Sequence, residues 1–434
     1  MLPGTAVWSH SRTKALFDEE QRYIAPGLQT IALLSGLAID RGRGSILIDL
    51  DGNEYLDLNA GVSVASLGHA HPRYVAAVSA QLAKVSVGSF TSEARAALVE
   101  TIAQLAPGDL RRVQLFSGGA EAVEAAIKLA RSFTKRTEVI GFTGAFHGKT
   151  AGVLPLSDVA WKEAVGPLPA GFHLVPYPDP TRGLADAECL AQSLAALERA
   201  VLDTSGRLAA VIVEPIQGTA GNIVPPAGFL RHLRDVCTRA GALMIADEMI
   251  TGFGRTGLLF GCNHDDVVPD IMTMGKGMAS GFPVSAVLST DEIVAAEPFS
   301  LPSASSSSYG GNPLAAAAAL VTLQTIREER LVENSARVGT LLRDGLDALA
   351  ARHPSIANVR GKGLLIGFDL VDCRSRAPLS KAGCVAFFKD CLSNGLILMG
   401  YTQRVRIHPP LILTADESDR ALSILDRALE RLEC

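Results

Sequence analysis

Between about residues 110 and 290, short runs of β-branched and other apolar residues alternate with stretches whose apolar positions recur three and four apart. This alternation constrains the fold more than any other feature. Runs that are apolar on both faces need cover on both sides, which helices supply when they connect parallel strands. An α/β protein is therefore expected. Candidate strands are 112–116, 138–142, 209–214, 242–246, 271–274 and 284–288. A helix is expected over 120–131, where Ala122, Val123, Ala126, Ile127 and Ala130 share a face and Glu124 and Lys128 pair four apart outside it. After Pro313, alanine- and leucine-rich stretches read as long helices to about Arg352. The remainder reads as a smaller α+β unit, with a strand over 364–371 and helices over 381–392 and 415–432.

The 434 residues, 48% of them hydrophobic, suffice for one large and one smaller core. Lysine plus arginine (40) nearly balances aspartate plus glutamate (45), and the net charge of -5 creates no field that would gather nucleic acid or an anionic membrane. Small soluble partners fit better. Seven cysteines without a Cys-x-x-Cys pair suit reduced thiols and argue for neither a disulfide framework nor a metal site. Trp8, His10, Arg12, Lys14 and Asp18 prevent an apolar signal core, and the apolar stretch 24–39 is interrupted by Pro26, Gln29, Thr30 and Ser35. A cytoplasmic enzyme is the expectation. There is no internal repeat, and the serine run 305–308 by itself reads as a loop.

Ligands on open α/β sheets bind beyond the carboxyl ends of the strands, so those junctions carry the candidate chemistry. Ser117-Gly-Gly-Ala-Glu121 leaves backbone N–H groups open to an anion at a helix N-terminus, although an ordinary glycine turn explains it equally well. In Gly141-Phe-Thr-Gly-Ala-Phe146-His147-Gly148 the glycines would let a planar ligand approach, with Phe146 stacked on it. Taken singly, such a phenylalanine is more often core, and a histidine such as His147 more often a satisfied polar contact. Asp247 ends an apolar strand, where a carboxylate is costly without a cationic partner such as a protonated ring nitrogen; a cap or salt bridge is the rival account. Gly252-Phe-Gly254-Arg-Thr-Gly257 has dinucleotide-motif spacing, but the glycines do not follow the strand directly and no helix follows them. Lys276, between Gly275 and Gly277, can present an amine to a cleft, and a desolvated lysine attacks carbonyls. A solvated surface lysine is the alternative.

In order and spacing these motifs resemble the class III pyridoxal-phosphate aminotransferases of fold type I, in particular the 4-aminobutyrate and ω-amino acid enzymes. The resemblance also takes in 43–57, Gly68-His-Ala-His-Pro72, Tyr309-Gly-Gly-Asn-Pro313 and Arg406-Ile-His-Pro-Pro410. It implies a mostly parallel seven-stranded sheet with helices on both faces, plus a smaller α+β domain from the two chain ends. Domains are expected at 1–60 (a segment packing with the small domain), 61–330 (the large cofactor domain) and 331–434 (the small domain). It further implies that Lys276 holds pyridoxal 5′-phosphate as a Schiff base and then moves the substrate proton, while Asp247 keeps the pyridine nitrogen protonated. Phe146 and Met249 would cover the two ring faces, and Gly119 and Ala120 would hold the phosphate. Ser308 would reach the phosphate of a second subunit, which implies a homodimer with shared sites and leaves a tetramer of two such dimers open. Among substrate residues, Arg406 would grip a carboxylate and Lys149 stands where 4-aminobutyrate relatives carry arginine; Glu214 and Thr219 also lie at site positions.

Three departures from the family pattern bear on substrate. Lys149 keeps charge but not the bidentate fork. Thr219 replaces a glutamate that neutralises the carboxylate-binding arginine, and Ile250 replaces a glutamine near the cofactor. The last two make pyruvate a rival of 2-oxoglutarate as acceptor. The expected activity is ping-pong amino transfer from an ω-amino acid or primary amine to a 2-oxo acid. Two alternatives are an amino acid racemase or epimerase of the same fold, against which stands the missing hydroxyl at Phe146, and a non-catalytic scaffold, against which stand Lys276 and Asp247 together.

Overall fold

The structure is a computed structural model and describes residues 11–86 and 88–432. Trp8, His10 and Cys434, the last of the seven cysteines, lie outside the described residues. The described chain forms two compact units, one from Pro72–Glu333 and one from the described parts of Met1–His71 and Asn334–Cys434. The divisions thus fall after His71 and Glu333, where the sequence expectation drew them after 60 and 330.

Seven strands build the sheet of the larger unit: β1 (Arg112–Phe116), β2 (Glu138–Phe142), β3 (Phe172–Val175), β4 (Leu208–Val213), β5 (Leu243–Asp247), β6 (Ile271–Met274) and β7 (Ser285–Ser289). Their order is β1-β7-β6-β5-β4-β2-β3. β7 runs antiparallel to both of its neighbours, and the pairs from β6 to β3 are parallel. Every residue of β4, β5, β6 and β7 is buried. Because successive side chains point to opposite faces, both faces of the sheet are covered.

Helix α1 (Gly119–Thr134) explains how that cover is achieved. Its alanine- and leucine-rich sequence favours the helix, and its apolar stripe buries Ala122, Val123, Ala126, Ile127 and Ala130 in one core cluster with Ile245, Ile271 and Val287 of the sheet. Lys135, in the left-handed region at φ 56°, ends it. The edge strand β3 is absent from the sequence expectation because its run Phe-His-Leu-Val is only four residues long, is broken by a histidine and lies between Gly171 and Pro176: Phe172 is half-buried under the Arg131 guanidinium, 4.8 Å from the ring centroid, and His173 is exposed.

In the other unit, Leu396–Ile397 pairs in parallel with Glu54–Asp57, so residues from both chain ends share a sheet with Ile39–Arg43 and Ile46–Asp49. A second, antiparallel sheet joins Ile356–Lys362, Leu365–Leu370 and Arg404–Ile407. Cys189, Cys237, Cys262, Cys384 and Cys391 are buried free thiols. Cys373 is disulfide-bonded, which departs from the expectation of thiols throughout. Among the described residues no helix is long and apolar enough to cross a membrane.

The turn before the helix Pro313–Glu328 lies hard against β1. A Cβ on Gly310 would stand 2.2 Å from the Leu115 carbonyl oxygen, and Gly311 adopts φ +67°. Backbone cannot yield as a flexible side chain does. Gly310→Ala is expected to destabilise the protein by about 1–3 kcal/mol or more, read as a lowered thermal midpoint.

Candidate active site

The carboxyl ends of β1, β2, β5 and β6 carry the candidate residues into one region of the larger unit. Asp247, the last residue of β5, is almost completely buried. Its Oδ2 lies 2.7 Å from Nδ1 of His147, and its Oδ1 accepts from the Thr273 hydroxyl and the Met249 N–H, both at 3.1 Å. These partners fix the carboxylate while leaving it acceptor capacity for one further donor. Burial works against a charge on His147, but the hydrogen bond to Asp247 and the charges of Asp247 and Glu214 offset it and raise the imidazole pKa. The His147 N–H is held at 3.0 Å by the Ser157 hydroxyl, which in turn donates to the Gly148 carbonyl.

At the end of β1, Glu121 folds back so that its Oε2 accepts the Ser117 and Gly118 N–H groups at 3.1 and 2.6 Å. Those two donors are thereby consumed, while the first-turn N–H groups of Gly119 and Ala120 have no carbonyl within the helix to bond. Positive dipole ends and open N–H groups make this a cup for an anion. The Ser285 hydroxyl donates to the Gly118 carbonyl at 2.8 Å and ties the cup to β7.

Met249 joins the cup to the lysine segment. Its sulfur lies 3.4 Å from where a Cβ on Gly119 would stand and 2.8 Å from where one on Gly275 would stand. Lys276 follows Gly275, is half-buried, and has φ +43°, a left-handed backbone that non-glycine residues adopt at a cost. Gly275→Ala would push the Met249 side chain off its seat. Cofactor retention is expected to fall roughly 10–100-fold, measured by equilibrium dialysis, as overpacking of a few kcal/mol implies.

Phe146 is half-buried on the loop after β2, with the exposed Lys149 ammonium 5.9 Å from its ring centroid. Glu214 is buried beneath that loop, and burial, only partly countered by the His147 charge, raises its pKa. Thr219 is exposed, and Ile250 is buried against Gly218, whose added Cβ would meet Ile250 at 2.6 Å. Ser308 is exposed and borders a concavity of about 480 Å³ together with Glu121, Glu124 and Thr150. Arg406 belongs to the other unit, on the strand Arg404–Ile407, where its side chain hydrogen-bonds Tyr401. Asp247, Met249, Phe146, Gly119 and the lysine segment are therefore drawn together. The 252–257 glycines form turns that precede no α-helix directly.

This donor set suits pyridoxal phosphate. A buried, braced carboxylate matches a protonated ring nitrogen, and an open N–H cup matches the phosphate. The family description Aminotransferase class-III matches residues 30–429. The chain belongs to the class III aminotransferases. Acetylornithine aminotransferase of Methanopyrus kandleri is 39% identical over 394 residues, 89% of this chain and 93% of that one. Alanine/serine racemase of Pyrococcus horikoshii is 34% identical over 438 residues, 96% of this chain and 90% of that one. A PLP-bound amine transaminase from an uncultivated Pseudomonas species superimposes with a TM-score of 0.87 at 32% identity, covering 94% of this chain and 98% of that one. Like the family, this class III aminotransferase takes pyridoxal 5′-phosphate as its cofactor and amino donors and oxo acids as its substrates.

Sequence reasoning missed the bracing around the aminotransferase site. Glu121, three residues after Gly118, is a capping pattern that was open to recognition. The links from Asp247 to His147 and Thr273 span 100 and 26 residues and left no local signal.

Proposed function

We propose that the protein moves an amino group from a primary amine or ω-amino acid, 4-aminobutyrate-like in form, to a 2-oxo acid by a ping-pong mechanism. The observation that carries this reading is the buried Asp247–His147 pair at the end of β5, with Met249 seated between the glycine cup and the residue before Lys276. When bound, the cofactor supplies an electron sink for the carbon that bears the amino group. Lys276 would anchor the cofactor, and its amine, once released, would carry the proton between the substrate carbon and the cofactor carbon within each half-reaction. Asp247 holds a proton on the ring nitrogen. Phe146 and Met249 exclude water from the two ring faces, and the Gly119 and Ala120 N–H groups receive the phosphate.

Arg406 binds the carboxylate common to 2-oxo acids, and Lys149 receives a second, distal carboxylate as a point charge. Pyruvate is a full rival of 2-oxoglutarate as acceptor, because Thr219 has no charge with which to neutralise an arginine during the half-reaction that does not need it. We further propose a homodimer in which Ser308 reaches the partner's phosphate. Exposed Phe90 and Tyr309, 84% and 65% accessible, belong to segments bordering one concavity, which supports that contact surface. A tetramer would be two such dimers. The five buried free thiols favour the cytoplasm as its place of work.

A panel of 4-aminobutyrate, β-alanine, acetylornithine and simple primary amines, each with pyruvate or 2-oxoglutarate, tests the donor and acceptor assignment. No turnover of any ω-amino acid or simple amine refutes it. The racemase similarity supports a second reading, amino acid racemisation. Loss of the α-hydrogen from alanine or serine without accumulation of an oxo acid would favour that reading. Against it, the Phe146 ring carries no hydroxyl to act as acid or base.

A further inference from the structure

We propose that Glu214 and Gln217 are positioning residues that clamp the 143–148 loop, so that Phe146 and His147 stand at fixed places beside Asp247. The inference rests on the site reading above and gives Glu214 a role other than substrate contact. Both carboxylate oxygens of Glu214 are engaged: Oε1 accepts the Phe146 N–H at 2.9 Å, and Oε2 accepts the Gly218 N–H at 3.1 Å. Gln217 supplies a second tie three residues on, its Nε2 donating to the Thr143 carbonyl at 2.9 Å. The approach is close enough that a Cβ on Gly144 would stand 2.7 Å from Gln217 Oε1, and Gly144 adopts φ +79°.

The jaw that bears these two side chains is itself braced. The Tyr177 hydroxyl donates to the carbonyls of Glu214 and Pro215 at 3.3 and 3.2 Å, and its ring lies edge-on between Phe142 and Phe229 with centroids 5.8 and 5.4 Å away. Gln217 and Ile223 exchange backbone hydrogen bonds at 3.1 and 3.0 Å. From the other side, Asp158 accepts the Gly144 N–H at 2.8 Å and Ser157 holds His147 and Gly148. With the Ala145 carbonyl accepting the Asp158 N–H at 2.8 Å, the loop is tied at each of its six residues and has little freedom left, and both groups that it carries toward the site inherit that fixity. Placing a carboxylate so deep is costly, and the two backbone donors and the neighbouring His147 offset part of that cost.

The test uses Glu214→Gln, which keeps the shape but turns one acceptor into a donor, and Gln217→Met, which removes the other tie independently. Amide hydrogen exchange is followed in the cofactor-free protein, so that this arm does not depend on catalysis. In each variant the 143–148 amides are expected to exchange about 10-fold faster, with β4 and β5 unchanged. At saturating pyridoxal phosphate, the induced circular dichroism of the bound cofactor is expected to fall as the Phe146 ring loses its fixed angle. Unchanged exchange at 143–148 in both variants overturns the clamp. So does uniform acceleration across the whole larger unit with undiminished induced dichroism, which is what a merely structural role produces. Failure of the wild type itself to take up pyridoxal phosphate would refute the functional reading rather than the clamp.

Discussion

Replacing Lys276 with alanine is expected to lower the rate of amino transfer by about 10⁴-fold, while the protein still folds and still takes up pyridoxal phosphate through the cup. The size follows from two losses at one atom. The ζ-amine is the only amine on the segment after β6 that can condense with a carbonyl, and it is the base proposed to move the substrate proton; base removal alone is worth roughly 10²–10⁴-fold. Stability should change little, because Lys276 is half-buried and its left-handed backbone is a strain that any non-glycine residue there would share. Rates are read under single-turnover conditions, and cofactor content by dialysis. A variant within about 10-fold of wild type, a loss of less than 1.4 kcal/mol of barrier, would remove Lys276 from the mechanism.

The second large effect is expected at Asp247. Asp247→Asn keeps the shape at the end of β5 and one oxygen for Thr273 and Met249, but it removes the charge that faces His147. Losing a preorganised charge of this kind costs about 10²–10³-fold in kcat. The same change also removes the hydrogen bond and the charge that raise the His147 pKa against burial, so the imidazole should lose its proton at a lower pH than in the wild type. Nitrogen NMR on the histidine ring reads that change without any turnover. If the rate falls while the titration of His147 is unmoved, the coupling between the pair is not what the geometry implies.

Much of the sheet is legible in the sequence because its strands are buried on both faces. β1, β2 and β6 coincide with the apolar runs at 112–116, 138–142 and 271–274, and β4, β5 and β7 lie within one residue of theirs. β3 was hidden for the opposite reason: at the sheet edge only Val175 is fully buried, and three apolar residues interrupted by an exposed histidine make too short a run to read. The glycine cup was visible as composition, but not that Glu121 consumes two of its donors. Asp247 was visible as a charge ending an apolar strand, and the cost of leaving it alone pointed to a partner. Which partner was not visible, since His147 lies 100 residues away and a single histidine carries no pattern. Glu214 shows the same limit: its position in a motif gave no hint that both oxygens are occupied by backbone.

The central claim is that one amino group passes from donor to protein before any acceptor arrives. It is tested most directly by adding an amine donor alone to the purified holoenzyme and following the visible absorbance of the bound cofactor. The absorbance should fall by one equivalent per site with no oxo acid present, and return when pyruvate or 2-oxoglutarate is added, with the aminated acid appearing in the same amount. Absorbance that holds steady while a chiral amino acid racemises, or that responds to no donor, would contradict the account.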